Sequence, residues 1–156
     1  MQLDRAWIER HIPHQGRMCL LEEVMEWDEL HIRCRSGTHR ASDHPLRSRG
    51  RLGIACGIEY AAQAMAVHGA LAGGALGDSA IGDKRPSRRS QAGFLAGLRD
   101  VRMYALRLDG AADLICEATL IAGDRLSALY EFALWSDALK VLSGRATVVL
   151  DDDNKG

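Results

Sequence analysis

Glu59 is the residue with the clearest chemical potential, because it lies inside a long run of small and apolar residues that extends from Leu52 to Gly69. The run predicts a helix that is apolar on nearly every face and is therefore buried all round. An ionisable carboxylate in such surroundings costs several kcal/mol unless it is paired or protonated. A carboxylate placed in this way is typical of a functional site.

The segments before this helix must position whatever acts with Glu59. Residues 3–11 predict a short amphipathic helix, which Pro13 ends. Residues 18–27 and 30–38 predict a β-hairpin with its turn at Asp28 and Glu29. Residues 39–51 are polar and interrupted by proline and glycine, so they predict a loop that leads into a helix of about residues 53–72.

The chain beyond the helix predicts a surface crossover and then antiparallel strands. Residues 73–90 are rich in glycine, serine and charge, and they contain a basic cluster of Lys84, Arg85, Arg88 and Arg89. Strand-like runs follow, and short polar breaks between the last three predict the hairpins of a meander. These runs are residues 92–98, 100–108, 113–122, 126–136 and 139–150.

The order of elements predicts an α+β protein with the hot-dog fold, in which an antiparallel sheet wraps around a long central helix. A helix that is apolar on every face needs a sheet that curls around it or a second subunit that closes its other side. Residues 1–150 are expected to form a single hot-dog domain, and residues 151–156 a solvated tail. Two hot-dog protomers usually pair edge to edge, so we expect at least a homodimer.

Composition excludes several classes of partner. The 156 residues carry a formal net charge of -1, so no general basic surface exists for nucleic acid. The four cysteines form no C-x-x-C pair, which predicts reduced core thiols and a cytoplasmic location. No uninterrupted apolar stretch is long enough for a membrane span, and the N-terminus is charged. No phosphate-binding glycine motif and no metal-ligand cluster occur, so no cofactor and no metal are expected.

Four segments, in order and at suitable spacing, resemble the β-hydroxyacyl-ACP dehydratases. The segment from Pro13 to Val24 resembles the opening segment of that family, and Ile58 to Met65 resembles its central-helix motif, with the catalytic acid at Glu59. Phe94 to Arg102 resembles the strand that lines the acyl tunnel. The closing strand is similar to residues 144–150. The resemblance covers residues 8–150 and is closest to the dehydratase-like branch found in aryl polyene pigment pathways.

The resemblance implies dehydration of a 3-hydroxyacyl thioester to a trans-2-enoyl thioester. Glu59, kept protonated by apolar surroundings, would donate a proton to the leaving hydroxyl, and neutral His14 would take the proton from C2. The family's Gly-His-Phe-Pro motif has no counterpart here, since its histidine would fall near residues 47–51. His39 and His44 therefore remain alternatives to His14 as the base.

Further residues are expected to bind the substrate or its carrier. The helix N-terminus at Gly53 would offer N–H donors to the thioester oxygen, and Gln63, one turn after Glu59, would orient the carboxyl group or bind substrate. The resemblance adds tunnel residues on the following strand, and an acidic acyl carrier protein would be steered by a local basic rim. The tunnel residues are Phe94, Gly97 and Leu98, and the rim residues are Arg47, Arg49 and Arg51.

Two other functions remain open. A hot-dog thioesterase would use the same carboxylate to activate water and would release a free acid. A non-catalytic hot-dog subunit would bind acyl chains or pair with an active paralogue. A histidine at about 3 to 5 Å from Glu59 favours an enzyme, and its absence favours the binding subunit.

Overall fold

The computed structural model describes residues 2–75 and 93–150. Two α-helices and six β-strands make up its main elements. The helices are α1 (Arg5–His11) and α2 (Gly57–Ala70), and the strands are β1 (Glu23–Trp27), β2 (His31–Ser36), β3 (Gly93–Met103), β4 (Leu114–Gly123), β5 (Ser127–Ser136) and β6 (Leu139–Leu150). Short 3-10 turns occur at Gly16–Met18, Thr38–Arg40 and Ile54–Cys56, and a π-helical turn at Leu71–Ala75 extends α2.

All six strands form one antiparallel sheet in the order β1-β2-β4-β5-β6-β3. The central helix α2 packs mainly against β2, β4 and β5. A six-stranded antiparallel sheet around one long helix is the hot-dog arrangement, which confirms the predicted fold class. The predicted basic cluster at residues 84–89 and the predicted tail at 151–156 lie outside the described residues.

The predicted strands at 92–98 and 100–108 form one strand, β3, so that boundary was wrong. The register of β3 against β6 shifts twice, and Asp100 adopts a φ of 52° at the second shift. A β-bulge takes up the extra residue without ending the ladder. The polar residues at 99 and 100 therefore mark a bulge and not a turn.

Within residues 2–75 and 93–150, the sheet covers one side of α2. Tyr60, Ala61, Ala64 and Val67 are fully buried against the sheet. The other side carries half-buried positions, Glu59, Ala62 and Ala66 among them, and an exposed Gly69. The expected burial all round is thus not reached by the part of the chain that the structure describes, because its sheet packs against one face of the helix.

Among the described strands, β3 forms one edge of the sheet and pairs only with β6. Every residue of β3 except the half-buried Val101 is exposed. Its exposed apolar side chains are large and occur on both faces of the strand, and they are Phe94, Leu95, Leu98 and Met103. An edge of this length with unpaired backbone groups is suited to pairing with another chain.

All four cysteines are free thiols. Cys34 lies directly opposite Cys116 in the ladder between β2 and β4, and burial raises the pKa of Cys34 to about 12. Cys19 is also buried, whereas Cys56, which immediately precedes α2, is half-buried. Neither of the described helices has the length and hydropathy that a bilayer span requires.

Candidate active site

A histidine and a carboxylate meet at the start of the central helix. His14 Nε2 lies 3.1 Å from Glu59 Oε1, and the two side chains are 28% and 35% exposed. Glu59 comes from the first turn of α2, and His14 comes from the loop between α1 and the 3-10 turn at Gly16–Met18. The structure therefore brings together the two residues that were predicted to be catalytic. Their roles stay a prediction.

The loop that carries His14 is fixed by side chains from α1 and from the loop itself. The Arg5 guanidinium donates to the Gly16 carbonyl at 2.8 Å. The Gln15 amide donates to the Glu9 carbonyl at 2.5 Å. Gly16 adopts a φ of 60°, a left-handed conformation that glycine accepts without strain. These contacts hold the imidazole against α2 and not in solvent.

Gln63 connects the same loop to the helix. Its Oε1 accepts from the Leu20 N–H at 2.8 Å, and its Nε2 donates to the Met18 carbonyl at 2.7 Å. Nε2 also lies 3.4 Å from Glu59 Oε1. The side chain is fully buried and both ends of its amide are occupied. Gln63 thus lies where it positions the loop and the carboxylate, as one of its two predicted roles requires, and substrate binding by Gln63 stays a prediction.

Glu59 is ionised at neutral pH. Hydrogen bonding to His14, with a further contribution from Gln63, holds its pKa below the ordinary value and outweighs the opposing effect of burial. The expectation of a protonated Glu59 was therefore wrong. The physical reason is that the carboxylate is only half-buried and has two donors. His14 Nδ1 is buried and has no hydrogen-bond partner within the described segments.

His44 belongs to a different hydrogen-bond network, in which its partner on α2 is Tyr60, the residue after Glu59. Its Nδ1 accepts from the Leu46 N–H at 3.1 Å, so its Nε2 carries the proton and donates to Tyr60 Oη at 3.0 Å. Tyr60 Oη lies 2.7 Å from Thr38 Oγ1. Burial lowers the pKa of His44, which keeps it neutral. Tyr60 was not among the predicted residues, and its position next to Glu59 in sequence was the only available signal.

His39 is fully buried, and burial lowers its pKa as well. Neither His39 nor His44 is among the described residues that contact Glu59, whose hydrogen-bond partners are His14 and Gln63. Of the three histidines considered as a base, the structure places His14 at the carboxylate.

The other predicted substrate contacts lie apart from the pair. Gly53 is exposed at the start of the helix and forms an isolated bridge with Arg107, but the neighbouring Ile54 N–H is taken by the Leu106 carbonyl at 3.1 Å. The tunnel residues Phe94, Gly97 and Leu98 lie on β3, two strands beyond β5 at the sheet edge. Within one chain they do not belong to the strands on which α2 mainly packs.

The three predicted carrier-binding arginines differ in their surroundings. The Arg47 guanidinium donates to the backbone carbonyls of residues 39, 41 and 50 and pairs with Asp109 at 3.1 Å, so it holds the loop together. The Arg107 and Arg47 guanidinium groups keep the pKa of Asp109 far below its usual range. Arg49 and Arg51 are exposed. Among the described residues, no group of three or more potential ligands has an arrangement that would hold a metal ion.

Comparison with known proteins gives one family and a set of structures. The model of the ApeP-like family, described as the ApeP dehydratase, matches residues 6–155. No curated protein matches the chain.

The solved structures that share the fold include the following three. The dehydratase heterocomplex ApeI:P from Xenorhabdus doucetiae has a TM-score of 0.77 and 22% identity, covering 95% of this chain and 93% of that chain. A hypothetical thioesterase from Streptococcus pneumoniae with coenzyme A has a TM-score of 0.53 and 10% identity, covering 83% and 84%. The PaaI protein from the phenylacetic acid degradation operon of E. coli has a TM-score of 0.55 and 11% identity, covering 81% and 80%.

Proposed function

This chain belongs to the ApeP-like family of dehydratases, and from that premise we propose that it converts a 3-hydroxyacyl thioester on acyl carrier protein to the trans-2-enoyl thioester. The pathway we propose is fatty-acid or polyene-type biosynthesis. The observation that carries the proposal is the 3.1 Å contact between His14 Nε2 and Glu59 Oε1. The free thiols of the chain support a cytoplasmic location as part of the same proposal.

The reaction needs one group that accepts a proton and one that donates a proton. The C2–H bond breaks, the electron pair forms the C2=C3 double bond, and the C3 hydroxyl leaves with a proton as water. Because Glu59 is ionised, we propose that its carboxylate takes the C2 proton and that protonated His14 delivers a proton to the hydroxyl. One proton then passes between Oε1 and Nε2 to restore the pair. The roles are exchanged relative to those implied by the resemblance, while the total number of protons on the pair is the same.

Two alternatives remain as second candidates. The thioesterase neighbours favour hydrolysis of the thioester, in which Glu59 would activate water and a free acid would form. The heterocomplex among the similar structures favours a subunit that acts with a hot-dog partner. The family match over residues 6–155 gives dehydration the stronger support.

We also propose that the chain functions with a second hot-dog subunit, either a copy of itself or a paralogue. Two features of the described residues support this: the exposed apolar side chains of the edge strand β3, and the half-buried face of α2 that includes Ala62 and Ala66. A second subunit at this edge would also bring tunnel residues of β3 towards an active site. Native mass spectrometry of the purified chain, alone and with a co-expressed paralogue, tests this. A monomer under both conditions would contradict it.

The experiment that tests the function is mass spectrometry of a 3-hydroxyacyl thioester on its carrier protein. We expect the wild-type protein to remove one water, and we expect both Glu59→Gln and His14→Ala to abolish the loss. The structure offers a matched control, because His31 Nε2 lies 3.7 Å from Glu117 Oε2 on β2 and β4, far from the start of α2. His31→Ala and Glu117→Gln should leave the water loss intact.

Each outcome decides between the candidate functions. Formation of free acid would show that the protein acts as a thioesterase and not as a dehydratase. If the substrate stays intact in every sample, with and without a co-expressed paralogue, the non-catalytic binding subunit is the remaining candidate. Equal loss of activity in the His31 and Glu117 variants would show that the effect of the substitutions is not specific to the proposed pair.

A further inference from the structure

Hydrogen bonds from α2 reach both backbone groups of Leu20, which lies six residues after His14 in the segment between α1 and β1. The Leu20 N–H donates to Gln63 Oε1 at 2.8 Å. The Leu20 carbonyl accepts from the Thr38 hydroxyl at 2.7 Å, and that hydroxyl lies 2.7 Å from Tyr60 Oη. Two side chains of α2 are therefore linked to one residue of the segment that carries His14.

The link through Tyr60 has a fixed direction, because a backbone group closes it at each end. The Leu46 N–H can only donate, so His44 Nδ1 accepts from it at 3.1 Å. His44 Nε2 then carries the proton and donates to Tyr60 Oη at 3.0 Å. The Leu20 carbonyl can only accept, so the Thr38 hydroxyl directs its proton there. The Tyr60 hydroxyl must therefore donate to Thr38 Oγ1.

Tyr60 and His44 are buried and keep the protonation states that this link needs. Tyr60 is fully buried, and His44 is 5% exposed. Burial raises the pKa of Tyr60 and lowers the pKa of His44, so the phenol stays protonated and the imidazole stays neutral near pH 7. Buried polar groups that lose a partner are costly, which stabilises the link against breaking.

Ser36 provides a contrast, because it binds the same carbonyl from the sheet. Its hydroxyl donates to the Leu20 carbonyl at 2.5 Å and lies 2.9 Å from Thr38 Oγ1. Ser36 belongs to β2, and none of its hydrogen bonds within the described segments reaches α2. Loss of the Ser36 hydroxyl therefore leaves the link between Tyr60 and Leu20 in place.

We propose that Tyr60 is a positioning residue for the reaction, which keeps His14 in contact with Glu59. Its hydroxyl acts through Thr38 and Leu20 and so fixes the segment that carries the imidazole to the helix that carries the carboxylate. The inference rests on the proposed function, because it concerns the pair that we propose for the proton transfers. Side chains that hold reacting groups in place from outside the site are a general requirement of precise catalytic geometry.

The Tyr60 link complements the one through Gln63. The Gln63 amide holds Met18 and Leu20, but both bonds come from one side chain, about which the segment could turn. Tyr60 lies three residues earlier on α2, which is about 4.5 Å along the helix axis at about 1.5 Å per residue. A second attachment at this separation fixes the orientation of the segment as well as its distance from α2.

The test compares substitutions that remove a hydroxyl and keep the shape of the side chain. Tyr60→Phe and Thr38→Val each break the link, so kcat for water loss should fall about three- to tenfold while KM changes less than about twofold. Thr38→Ser keeps the hydroxyl, and its kcat should stay within about twofold of the wild-type value.

Tyr130→Phe is the matched control for Tyr60→Phe. Tyr130 is also buried, and its Oη lies 2.7 Å from Nδ1 of His68, so it forms the same kind of tyrosine–histidine contact near the other end of α2. The substitution removes this contact without changing the link to Leu20. Its kcat should stay near the wild-type value.

Nuclear magnetic resonance gives a second measurement, which does not need turnover. In protein that contains isotope-labelled histidine, the ring resonances of His14 are identified by their loss in His14→Ala. They should shift or broaden in Tyr60→Phe and Thr38→Val, because the contact with Glu59 loosens. They should stay in place in Thr38→Ser and Tyr130→Phe.

The two measurements separate the positioning role from the function itself. A wild-type protein that removes no water, with or without a co-expressed paralogue, contradicts the proposed function, and the His14 resonances then decide the role of Tyr60. Unchanged His14 resonances in Tyr60→Phe and Thr38→Val overturn that role. An equal fall of kcat in Tyr130→Phe also overturns it, because a general loss of stability then explains the effect.

Discussion

Two residues from distant parts of the chain share one hydrogen bond at the candidate site. Because Glu59 is ionised, the pair that we propose for the reaction carries its proton on the imidazole, and this arrangement has the same number of protons as a neutral imidazole beside a carboxylic acid. A pH–rate profile alone does not distinguish these two states. The lowered pKa of Glu59 favours the state with the ionised carboxylate. The carboxylate is therefore the group that is ready to accept the C2 proton.

Gln63 is expected to affect turnover through the position of His14 and Glu59. Gln63→Leu leaves the Leu20 N–H and the Met18 carbonyl without their partner, so the free energy of unfolding should fall by about 2 kcal/mol. In addition, kcat for water loss should fall more than about tenfold while KM changes less than about twofold, because the buried amide of Gln63 already binds the backbone of the loop at both ends and acts through the position of the pair. Urea unfolding and steady-state kinetics measure the two effects.

The control for this prediction is Ser36→Ala. Ser36 is fully buried and donates to the Leu20 carbonyl at 2.5 Å, so its loss destabilises the same region without touching Glu59. Its kcat should stay near the wild-type value. An equal fall in kcat for both variants would show that Gln63 acts through stability alone.

Glu59 could be recognised from the sequence, but its charge state and its hydrogen-bond partner could not be derived from the local pattern. A carboxylate in an apolar helix stands out in any sequence, whereas the contact with His14 spans 45 residues and depends on a loop. The segment resemblance, and not spacing, pointed to His14. The expectation of a protonated Glu59 was wrong because the carboxylate is only half-buried and is hydrogen-bonded by His14 and Gln63. Both features arise from tertiary structure, which the local sequence does not show.

At the scale of elements, α2 is fitted closely to the sheet on one side and open on the other. A Cβ added at Gly57 would lie 2.8 Å from Leu142 Cδ2 and 3.0 Å from Leu134 Cδ2. A Cβ at Gly69 would meet nothing within 4 Å. The two glycines of the same helix therefore sit in opposite environments.

Gly57→Ala should destabilise the protein and Gly69→Ala should not. The first substitution overpacks the contact between α2 and the sheet, and the free energy of unfolding should fall by about 1 to 3 kcal/mol. The second replaces glycine by a better helix former at a position that is open within one chain, and a gain of about 0.5 to 1 kcal/mol is expected if the second subunit leaves Gly69 uncovered. Chemical denaturation of both variants checks this, and a destabilising Gly69→Ala would indicate that another chain covers this face.

The elements themselves were largely predictable. The strands β4, β5 and β6 lie within one residue of the predicted ranges, because polar breaks at residues 123–124 and 136–138 coincide with real turns. The β3 bulge was missed, since nothing in the local pattern distinguishes Asp100 in a bulge from Asp100 in a turn. The α-helix begins at Gly57 and not at residue 53, because the preceding residues adopt a 3-10 turn.

At the scale of the whole molecule, three buried histidines make the fold sensitive to acid. His39, His44 and His68 are buried, and burial lowers the pKa of each from its ordinary value of 6.5. For His68, burial outweighs the Asp28 carbonyl, which lies 3.0 Å from Nε2 and raises the pKa, while Nδ1 lies 2.7 Å from Tyr130 Oη. As the pH falls through 6.5, the unfolded chain binds protons that the folded chain does not.

The free energy of unfolding should therefore decrease between about pH 7.5 and about pH 5.5, by about 1 kcal/mol for each of these histidines. This window lies above the ordinary pKa of carboxylates, so histidines dominate it. Urea unfolding at both pH values measures the change. In His68→Gln, which cannot take up the proton, the decrease should be smaller by about 1 kcal/mol, and an unchanged decrease would contradict the assignment to His68.

The whole-molecule architecture followed from one inference about α2. A helix without a polar stripe needs cover on more than one side, and the sheet of this chain supplies one of them. The fold class was predictable for that reason. The composition of any second subunit was not, because the exposed edge of β3 and the small residues of α2 could accept either a copy or a paralogue.

The four thiols of the protein differ in their accessibility to reagents. Three cysteines are buried in the core, and burial raises the pKa of each of their thiols: Cys19, Cys34 and Cys116. Cys56 is half-buried and stands three residues before Glu59. A thiol-directed fluorophore or crosslinker applied to the folded protein should therefore label Cys56, close in sequence to Glu59 of the candidate site. Labelling of the other three cysteines would report unfolding.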